Sequence, residues 1–586
     1  MAYFLRKDKK AKGIYLQMYE NYWDKNLKQA RTKSVESFGY VDDLVSDEIP
    51  NPVAYYTEYV NKKNEERKQH LFEESRLRVF DSDNREKYVG YFLLSSLIDE
   101  LGVKEYIDIL ASAKNYQFSV YEMINQLIYA RVINPCSKSK TVSSVFPCLY
   151  NYSKISEDQI YDGIEFIGNN YKKYIELFNM QYEKFYKRNY KNVFFDCTNY
   201  YFEIDLPYQD KQKGPSKENR KEPIIGQALL LDSDLVPLAM QMYPGNESEK
   251  PYIRNMIEEM KTRYKVKGKT VQVADKGLNC ARNIYAAVKE ANDGYIFSKS
   301  IHGKGLSDIE KTWLLLENEE NVFTDYKDED GNLQYRLKSC IDEFDYKFKE
   351  FNEETGKEEV VIFKVKEKRI VSYNPSLAKK QIAEINKMVE KANSYTTYKK
   401  LSKEEIGESS KYINIINTDK DGKTVKPKIV LNQEKIDEDK KYAGYNLIVT
   451  SELDLNPNKI YETYHNLWKI EECFRITKTY LEGRPTYLQK QESIYGHFLI
   501  CYLALFLLRV LEIKCFKNKV NSYDIINFIR DFRVVYKGND TYINISHNKK
   551  ANDKIKDITS KTNLDALILT KDELDKLFTH TILINS

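Results

Sequence analysis

The hydrophobic pattern of the chain changes period several times, and each change marks a different kind of element. Over the first forty residues apolar and polar positions alternate. Ile14, Leu16 and Met18 share one side of GIYLQMYENYW, and SVESFGYV behaves alike. Period-two alternation predicts strands, so residues 1–50 are expected to form a small antiparallel meander. Residues 51–88 are densely charged (NKKNEERKQHLFEESRLR) and read as a charged helix or linker. Helical spacing runs through 89–188, in YFLLSSLIDEL, VYEMINQLIYARVI and YKKYIELFNMQYEKFY. Between these lies NPCSKSKTVSS, a polar loop with Pro135, Lys138 and Lys140. A helical module with a basic loop is a candidate DNA-binding element, and a plain helical packing domain fits these residues equally well.

The texture changes over 189–304. KNVFFDCTNYYFEI is an apolar, aromatic strand interrupted by Asp196, followed by the polar loop DKQKGPSKENRKEP. GQALLLDSD and LVPLAMQMYPG predict two more strands, and residues 250–263 a helix. KTVQVADKGL is a strand ending at Asp275, NCARNIYAAVKEAN a helix and GYIFSKS a further strand. The predicted order is β-β-β-α-β-α-β, an α/β arrangement with a carboxylate in its first strand and another at the end of its fourth. Residues 305–440 break this rhythm and read as a β-rich insertion, with stretches such as EEVVIFKVKEKRIVSY and one helix, SLAKKQIAEINKMVEKAN. AGYNLIVTS resumes the apolar strand character, so 441–515 is expected to complete the core, with a strong helix over 458–482 and a buried one over 494–513. Residues 516–586 form a mixed tail, and no internal repeat is visible.

Composition narrows the classes. A chain of 586 residues is expected to hold three or four domains. Lys plus Arg is 92 against 88 for Asp plus Glu, a net charge of +4, which excludes a globally basic nucleic-acid coat but not local basic faces. The 48 Tyr residues read as codon bias of AT-rich DNA rather than as chemistry. The 8 Cys form no CxxC and the 6 His complete no zinc spacing, so a reduced, intracellular setting is expected. The start MAYFLRKDKKAKG lacks an apolar signal core. The apolar run Phe498–Leu508 ends at Arg509, too short to span a bilayer and best read as a buried helix. The expected location is cytoplasmic.

Three carboxylates carry candidate chemistry. Asp196 interrupts an apolar strand, where a carboxylate is costly unless paired or bound to a cation. Asp275 stands where a strand meets a loop, a usual place for site residues in α/β sheets, though taken alone a cap or turn residue fits it as well. Strands one and four of such an order can be neighbours. The third comes from YETYHNLWKIEECFRITKTYLEG. With Tyr464 set at zero on a helical wheel, Glu471 falls near about −20°, Arg475 near +20° and Lys478 near −40°, while Ile470 and Phe474 mark the core-facing stripe. Glu472, near about +80°, is expected to point away from the core, so Glu471 is the inward candidate. Two Asp and one Glu, with no His or Cys, suit hard cations, and three such carboxylates suit a two-metal site for phosphodiester transfer.

These stretches together resemble the DDE transposases of bacterial insertion sequences, in the IS-four superfamily. The signature after that family's insertion is Tyr, two residues, Arg, three residues, Glu, six residues, Lys. Tyr464, Glu471 and Lys478 match it in type and spacing, and Leu467 stands where the Arg should be. FFDCTNYYFE resembles the first-Asp strand, MYPGNESEK the Pro-Gly-Asn-x-x-Glu turn and VADKGLNCARNI the second-Asp motif. The resemblance spans about residues 190–300 and 440–510 and implies a ribonuclease-H-like catalytic core, interrupted by the β-rich insertion and preceded by the meander and the helical module. It implies Asp196, Asp275 and Glu471 as catalytic metal ligands for two Mg²⁺ ions, with Mn²⁺ able to substitute. It further implies a homodimer on double-stranded DNA, binding terminal inverted repeats, cutting 3′ strands and joining them to target DNA.

Tyr464, Arg475, Lys478, Lys217 and Arg220 are the candidate DNA contacts. Lys217, Arg220 and Lys221 share one loop near the proposed site, and a plain solvated loop fits all three equally well. Trp468 reads as core packing before base stacking, Asn246 and Glu249 as a turn without a catalytic role before support of the site, and His465 and His497 as structural. The competing functions are a catalytically inactive, transposase-derived DNA-binding protein and a related metal-dependent nuclease. No His-hydrophobic-His motif supports rolling-circle chemistry.

Overall fold

A computed structural model describes residues 2–24, 29–77, 86–218, 220–302, 305–352, 356–395, 407–418, 424–547, 553, 555–556, 563–581 and 583. Parts of the charged segment, the loop before residue 220, the insertion and the tail lie outside these residues. The chain divides into two compact units, Met1–Arg85 and Glu86–Ser586.

In the first unit, β1 (Tyr3–Lys10), β2 (Gly13–Asp24) and β3 (Gln29–Tyr40) form an antiparallel three-stranded sheet. Leu16 and Met18 are buried, as the alternation requires, while Ile14 at the strand's start is exposed. The charged segment is more than a linker. Its helix α1 (Pro52–Leu77) docks on the sheet: the Tyr3 N–H donates to Asn64 Oδ1 at 2.7 Å, and Asn64 Nδ2 donates back to the Tyr3 carbonyl at 2.9 Å.

The second unit begins with helices α2 (Phe92–Leu101), α3 (Lys104–Ala111), α4 (Val120–Ile133), α5 (Glu157–Asn169) and α6 (Tyr171–Glu183). Helix α5 starts at a capping box, in which Ser156 and Gln159 satisfy each other's backbone N–H groups. Nine strands then form one mixed sheet. In chain order these are β4 (Asn192–Tyr201), β5 (Ile224–Leu231), β6 (Pro237–Pro244), β7 (Val271–Ala274), β8 (Gly294–Lys299), β9 (Thr324–Lys327), β10 (Leu333–Asn352), β11 (Lys357–Tyr373) and β14 (Tyr445–Thr450). The spatial order is β9-β10-β11-β14-β8-β7-β4-β5-β6. β4 pairs parallel with β7 and β7 with β8, and the other pairs are antiparallel. Helix α7 (Lys250–Arg263) precedes β7, and α8 (Ala281–Tyr285) links β7 to β8.

The segment expected as an insertion is partly built into this sheet, since β14 carries β9–β11 onto the edge of β8. The rest is a hairpin, β12 (Ile413–Thr418) with β13 (Thr424–Leu431), packed with α10 (Pro375–Tyr395) and α11 (Gln433–Lys441). Ile385, Tyr412, Ile413 and Ile436 give it a small core of its own.

Helix α14 (Gln491–Val510) runs through the larger core, and every residue from Gly496 to Val510 is buried. With its continuation to Cys515 it is long and apolar enough to cross a membrane by length and composition, but 94% of its most apolar window is buried inside the protein. Helices α5 and α14 touch backbone to backbone. A Cβ on Gly168 would stand 1.7 Å from the Glu492 carbonyl oxygen, and one on Gly496 would stand 2.1 Å from that of Ile164. Only glycine fits at either point.

Candidate active site

The site starts from strand register. The last β4–β7 pair is Phe195 with Ala274. Asp196 and Asp275 are the next residues on their two strands, and Asp275 is still extended, at φ −77° and ψ 170°. Because β4 and β7 run parallel, both carboxylates emerge at the same end of the sheet. Alternation along the strands puts them on the face whose inner residues, Phe194, Tyr200 and Val273, belong to the larger core.

The third carboxylate arrives on the same face. The chain from Pro457 is not one helix, as the sequence pattern predicts, but two. These are α12 (Pro457–His465) and α13 (Trp468–Arg475), with a single π turn over Ile476–Tyr480 after them. At the break, Leu467 N–H donates to the Tyr464 carbonyl and Lys469 N–H to that of Asn466, both at 3.0 Å. These three-residue bonds tighten the turn and rotate everything after it relative to an ideal wheel. α13 packs on β4 through Ile470, Cys473 and Phe474.

The rotation corrects the reading of the two glutamates. Glu472 does not point away from the core. It bridges Lys469 at 2.9 Å and Arg509 of α14 at 3.3 Å, with Arg475 at 3.8 Å. Arg509 is itself 1% exposed in its side chain, so α13 has a second buried face that the single-stripe wheel missed. Glu471 is the more exposed neighbour, and it lies within electrostatic reach of Asp275. Burial raises its pKa first, the Asp275 charge raises it further and Lys217 opposes both.

Asp196 is more strongly perturbed than Glu471. Burial pushes its pKa up to about 6. Lys217 and the Cys197 N–H, which donates to Oδ1 at 2.7 Å, oppose the rise, while the charges of Glu249 and Asp275 add to it. Its side chain keeps 22% of its surface open, so the buried carboxylate is still reachable.

The predicted DNA contacts divide. Tyr464 donates its hydroxyl to Asp275 Oδ1 at 3.1 Å, and burial together with that charge raises its pKa. Lys217 lies 3.6 Å from Asp196 Oδ1 and 3.4 Å from Glu249 Oε2. Lys478 donates to Glu218 Oε1 at 3.0 Å. Arg220 is exposed and lies over the Tyr201 ring at 4.4 Å. Arg475 is 62% exposed at the end of α13.

Three other expectations change. Trp468 is not core packing: it is 50% exposed, with Lys469 Nζ 4.0 Å from its ring centroid. Lys138 is not a surface cation of a basic loop: it is buried, with Nζ 3.1 Å from His497 Nδ1. Glu249 is part of the carboxylate neighbourhood rather than a bare turn residue. Leu467, in the signature Arg position, is 7% exposed and packs in the larger core. Glu218 and Arg484, also in ionic contact, were not singled out by sequence reasoning. For Glu218 the only signal was charge in a loop already read as polar.

Glu249 and Lys217 line a cleft of about 520 Å³ together with Asn199, Tyr243, Asn246 and Gly277. As a donor set, Asp196, Asp275, Glu471 and Glu249 offer only hard oxygens, which suits a divalent cation such as Mg²⁺. The Lys217 ammonium already stands as a cation between Asp196 and Glu249. Among the described residues no three His, Cys, Asp or Glu side chains are gathered closely enough to cage an ion. The donors therefore fit such an ion in chemistry and charge, and Asp196 and Glu249 are at present neutralised by a lysine.

Residues 201–507, just over half of the chain, match the family described as "Transposase DDE domain". The chain belongs to this family of DDE transposases. The match begins just after Asp196 and takes in Asp275 and Glu471. No curated protein matches this transposase. Among solved structures, the piggyBac transposase synaptic complex with hairpin DNA covers 84% of this chain and of its own, at 12% identity and a TM-score of 0.32. That likeness is too faint to place residues by.

Proposed function

We propose that this protein is the cut-and-paste transposase of a bacterial insertion sequence of the IS-four superfamily. In this reading it is cytoplasmic, binds the element's terminal inverted repeats as a homodimer in a synaptic complex, and cuts and joins DNA with two Mg²⁺ ions, or Mn²⁺ in their place. The observation that supports the reading is the adjacency of Asp196 and Asp275 at one end of parallel strands, with Glu471 within electrostatic reach of Asp275. The sheet order β6-β5-β4-β7-β8, antiparallel in its first half and parallel in its second, supports a ribonuclease-H-like core.

Each residue has a distinct task. Asp196, Asp275 and Glu471 hold the divalent cations, with Glu249 beside them. Bound there, the cations activate the attacking oxygen and stabilise the leaving one. Tyr464 fixes the rotamer of Asp275 through its hydroxyl. Lys478, Arg475 and Arg220 neutralise backbone phosphates. Water attacks the phosphorus at the element's end, the P–O3′ bond breaks, and a free 3′ hydroxyl is left. In the second step this hydroxyl loses its proton and attacks a phosphorus of target DNA, and that phosphorus's own P–O3′ bond breaks to leave a target 3′ hydroxyl; one phosphodiester replaces another, so the joining needs no outside energy source. Hairpin formation is not part of the proposal, because Leu467 is buried and offers the strand no cation.

The test is excision and strand transfer from a plasmid bearing the element's own ends, with Mg²⁺. Asp196→Ala, Asp275→Ala and Glu471→Ala are expected to bind the ends without cutting them. Wild-type protein that binds the ends but neither cuts nor joins would sink the proposal in favour of a DNA-binding role. Cutting without joining would mean a nuclease.

A further inference from the structure

The loop between β4 and β5 carries two adjacent charges of opposite sign, and each sits on a cluster of the sign opposite to its own. Lys217 Nζ lies against Asp196 and Glu249 and donates to the Cys197 carbonyl. Glu218 turns the other way. Its Oε1 accepts from Lys478 and its Oε2 from Arg484. An ammonium thus stands among carboxylates, and a two-oxygen anion stands between an ammonium and a guanidinium. These are the charge patterns that a divalent cation and a phosphodiester would present to the same two clusters.

The loop is anchored differently at its base and its tip. At the base, Gly214 packs so tightly on Gly245 that a Cβ would come 1.9 Å from its carbonyl oxygen. Asn199 Nδ2 donates to the Pro215 carbonyl at 3.3 Å. The tip, Ser216–Glu218, reaches the protein mainly through the side-chain charges, with one long bond from the Lys217 N–H to Asn199 Oδ1 at 3.4 Å. Glu218 and Arg484 each keep 27% of their side chains exposed, so solvent and other anions can compete for their contact.

We infer that Lys478 and Arg484 form a binding site for one backbone phosphate of DNA, and that Glu218 fills this site until DNA arrives. Lys217 serves the Asp196–Glu249 pair in the same way, in place of a divalent cation. A single dipeptide is then a removable plug for both halves of the site. Arg484 becomes a DNA contact, and Glu218 a built-in competitor of the substrate. Because the two residues are adjacent, a phosphate that displaces Glu218 also loosens Lys217, so DNA and metal help each other to bind. The inference rests on the phosphoryl-transfer reading of the carboxylates.

The first experiment measures affinity for a nonspecific DNA duplex in the presence of a chelator, where no reaction occurs. Glu218→Gln is expected to bind about fivefold more tightly than wild type, because it frees two cations and removes a charge that repels phosphate. Misfolding cannot mimic a gain. The gain is expected to disappear when Glu218→Gln is combined with Lys478→Gln or Arg484→Gln. A Glu218→Gln protein that binds no more tightly than wild type overturns the phosphate half of the inference, as does a gain that survives in the double variants.

The second experiment titrates Mn²⁺ calorimetrically without DNA. Lys217→Gln is expected to bind Mn²⁺ about tenfold more tightly, since the competing ammonium is gone. Unchanged affinity overturns the metal half. Failure of the parent reading looks different: Asp196→Asn protein would still cut DNA, whatever Glu218→Gln does in chelator.

Discussion

Tyr464 holds Asp275. Its hydroxyl donates to Asp275 Oδ1 at 3.1 Å from the last turn of α12, while Asp275 sits just past the end of β7. The tyrosine that the family resemblance offers as a DNA contact thus also bonds a carboxylate of the proposed site. Tyr464→Phe keeps the ring and removes only this bond. A hydrogen bond to a charged group is worth about 1.5–3 kcal/mol, so cutting is expected to slow about 10- to 100-fold. Raising Mn²⁺ should restore part of the rate. A rate equal to wild type at every metal concentration would remove Tyr464 from the site.

The adjacent glutamates should part cleanly in mutation. Glu471→Gln is expected to abolish cutting and leave thermal unfolding unchanged, because Glu471 is exposed. Glu472→Gln should do the reverse. It removes a partner from buried Arg509, which keeps Glu512 at 2.8 Å, so a loss of about 1–3 kcal/mol is expected with cutting retained below the unfolding range. Lost cutting in a stable Glu472→Gln protein would show that the wrong glutamate was chosen.

Asp196 gives two pH dependences. Its pKa in the fold is about 6, above the ordinary carboxylate value, so between those two values the native state binds more protons than the unfolded one. Stability from this group is therefore highest at low pH and falls as pH rises through that window. Asp196→Asn should stabilise the metal-free protein by about 1–2 kcal/mol at pH 7–8, and the difference should vanish below about pH 4. Mn²⁺ binding by wild type should weaken below about pH 6, as protons compete for the same carboxylate. A difference in stability that does not change between pH 4 and pH 8 would contradict the assignment.

The contact between α5 and α14 leaves no room for a methyl group. Gly168→Ala should destabilise the protein by about 1–3 kcal/mol, as overpacking does, and the same holds for Gly496→Ala. Denaturant unfolding reads this directly. A neutral result would mean that the two helices slide apart freely.

The parts legible in the sequence were those fixed by local pattern. Strand β4 announces itself by VFFDCTNYY and β7 by VQVA, and their pairing places Asp196 beside Asp275. What the sequence hid depends on residues distant in the chain. Lys138 reads as a loop cation until His497 is seen against it. Glu472 reads as solvent-facing until Arg509 arrives on α14. Glu218 reads as one charge among many until Lys478 and Arg484 close on it. The break at Asn466–Leu467 was hidden for another reason: nothing in YHNLWK forbids a helix, and two tight bonds suffice to turn it.

The continuity of the nine-stranded sheet bears on the order in which the protein is made. Asp196 and Asp275 leave the ribosome early and can be drawn together by the pairing of β4 with β7. Strand β14 closes the edge of β8 only after the hairpins between them have been synthesised, and Glu471 follows later still. A nascent or prematurely ended chain thus carries two of its three carboxylates and no third. On the proposed assignment the site is completed last, by its most distant contact, and a chain that ends before Glu471 lacks the third carboxylate.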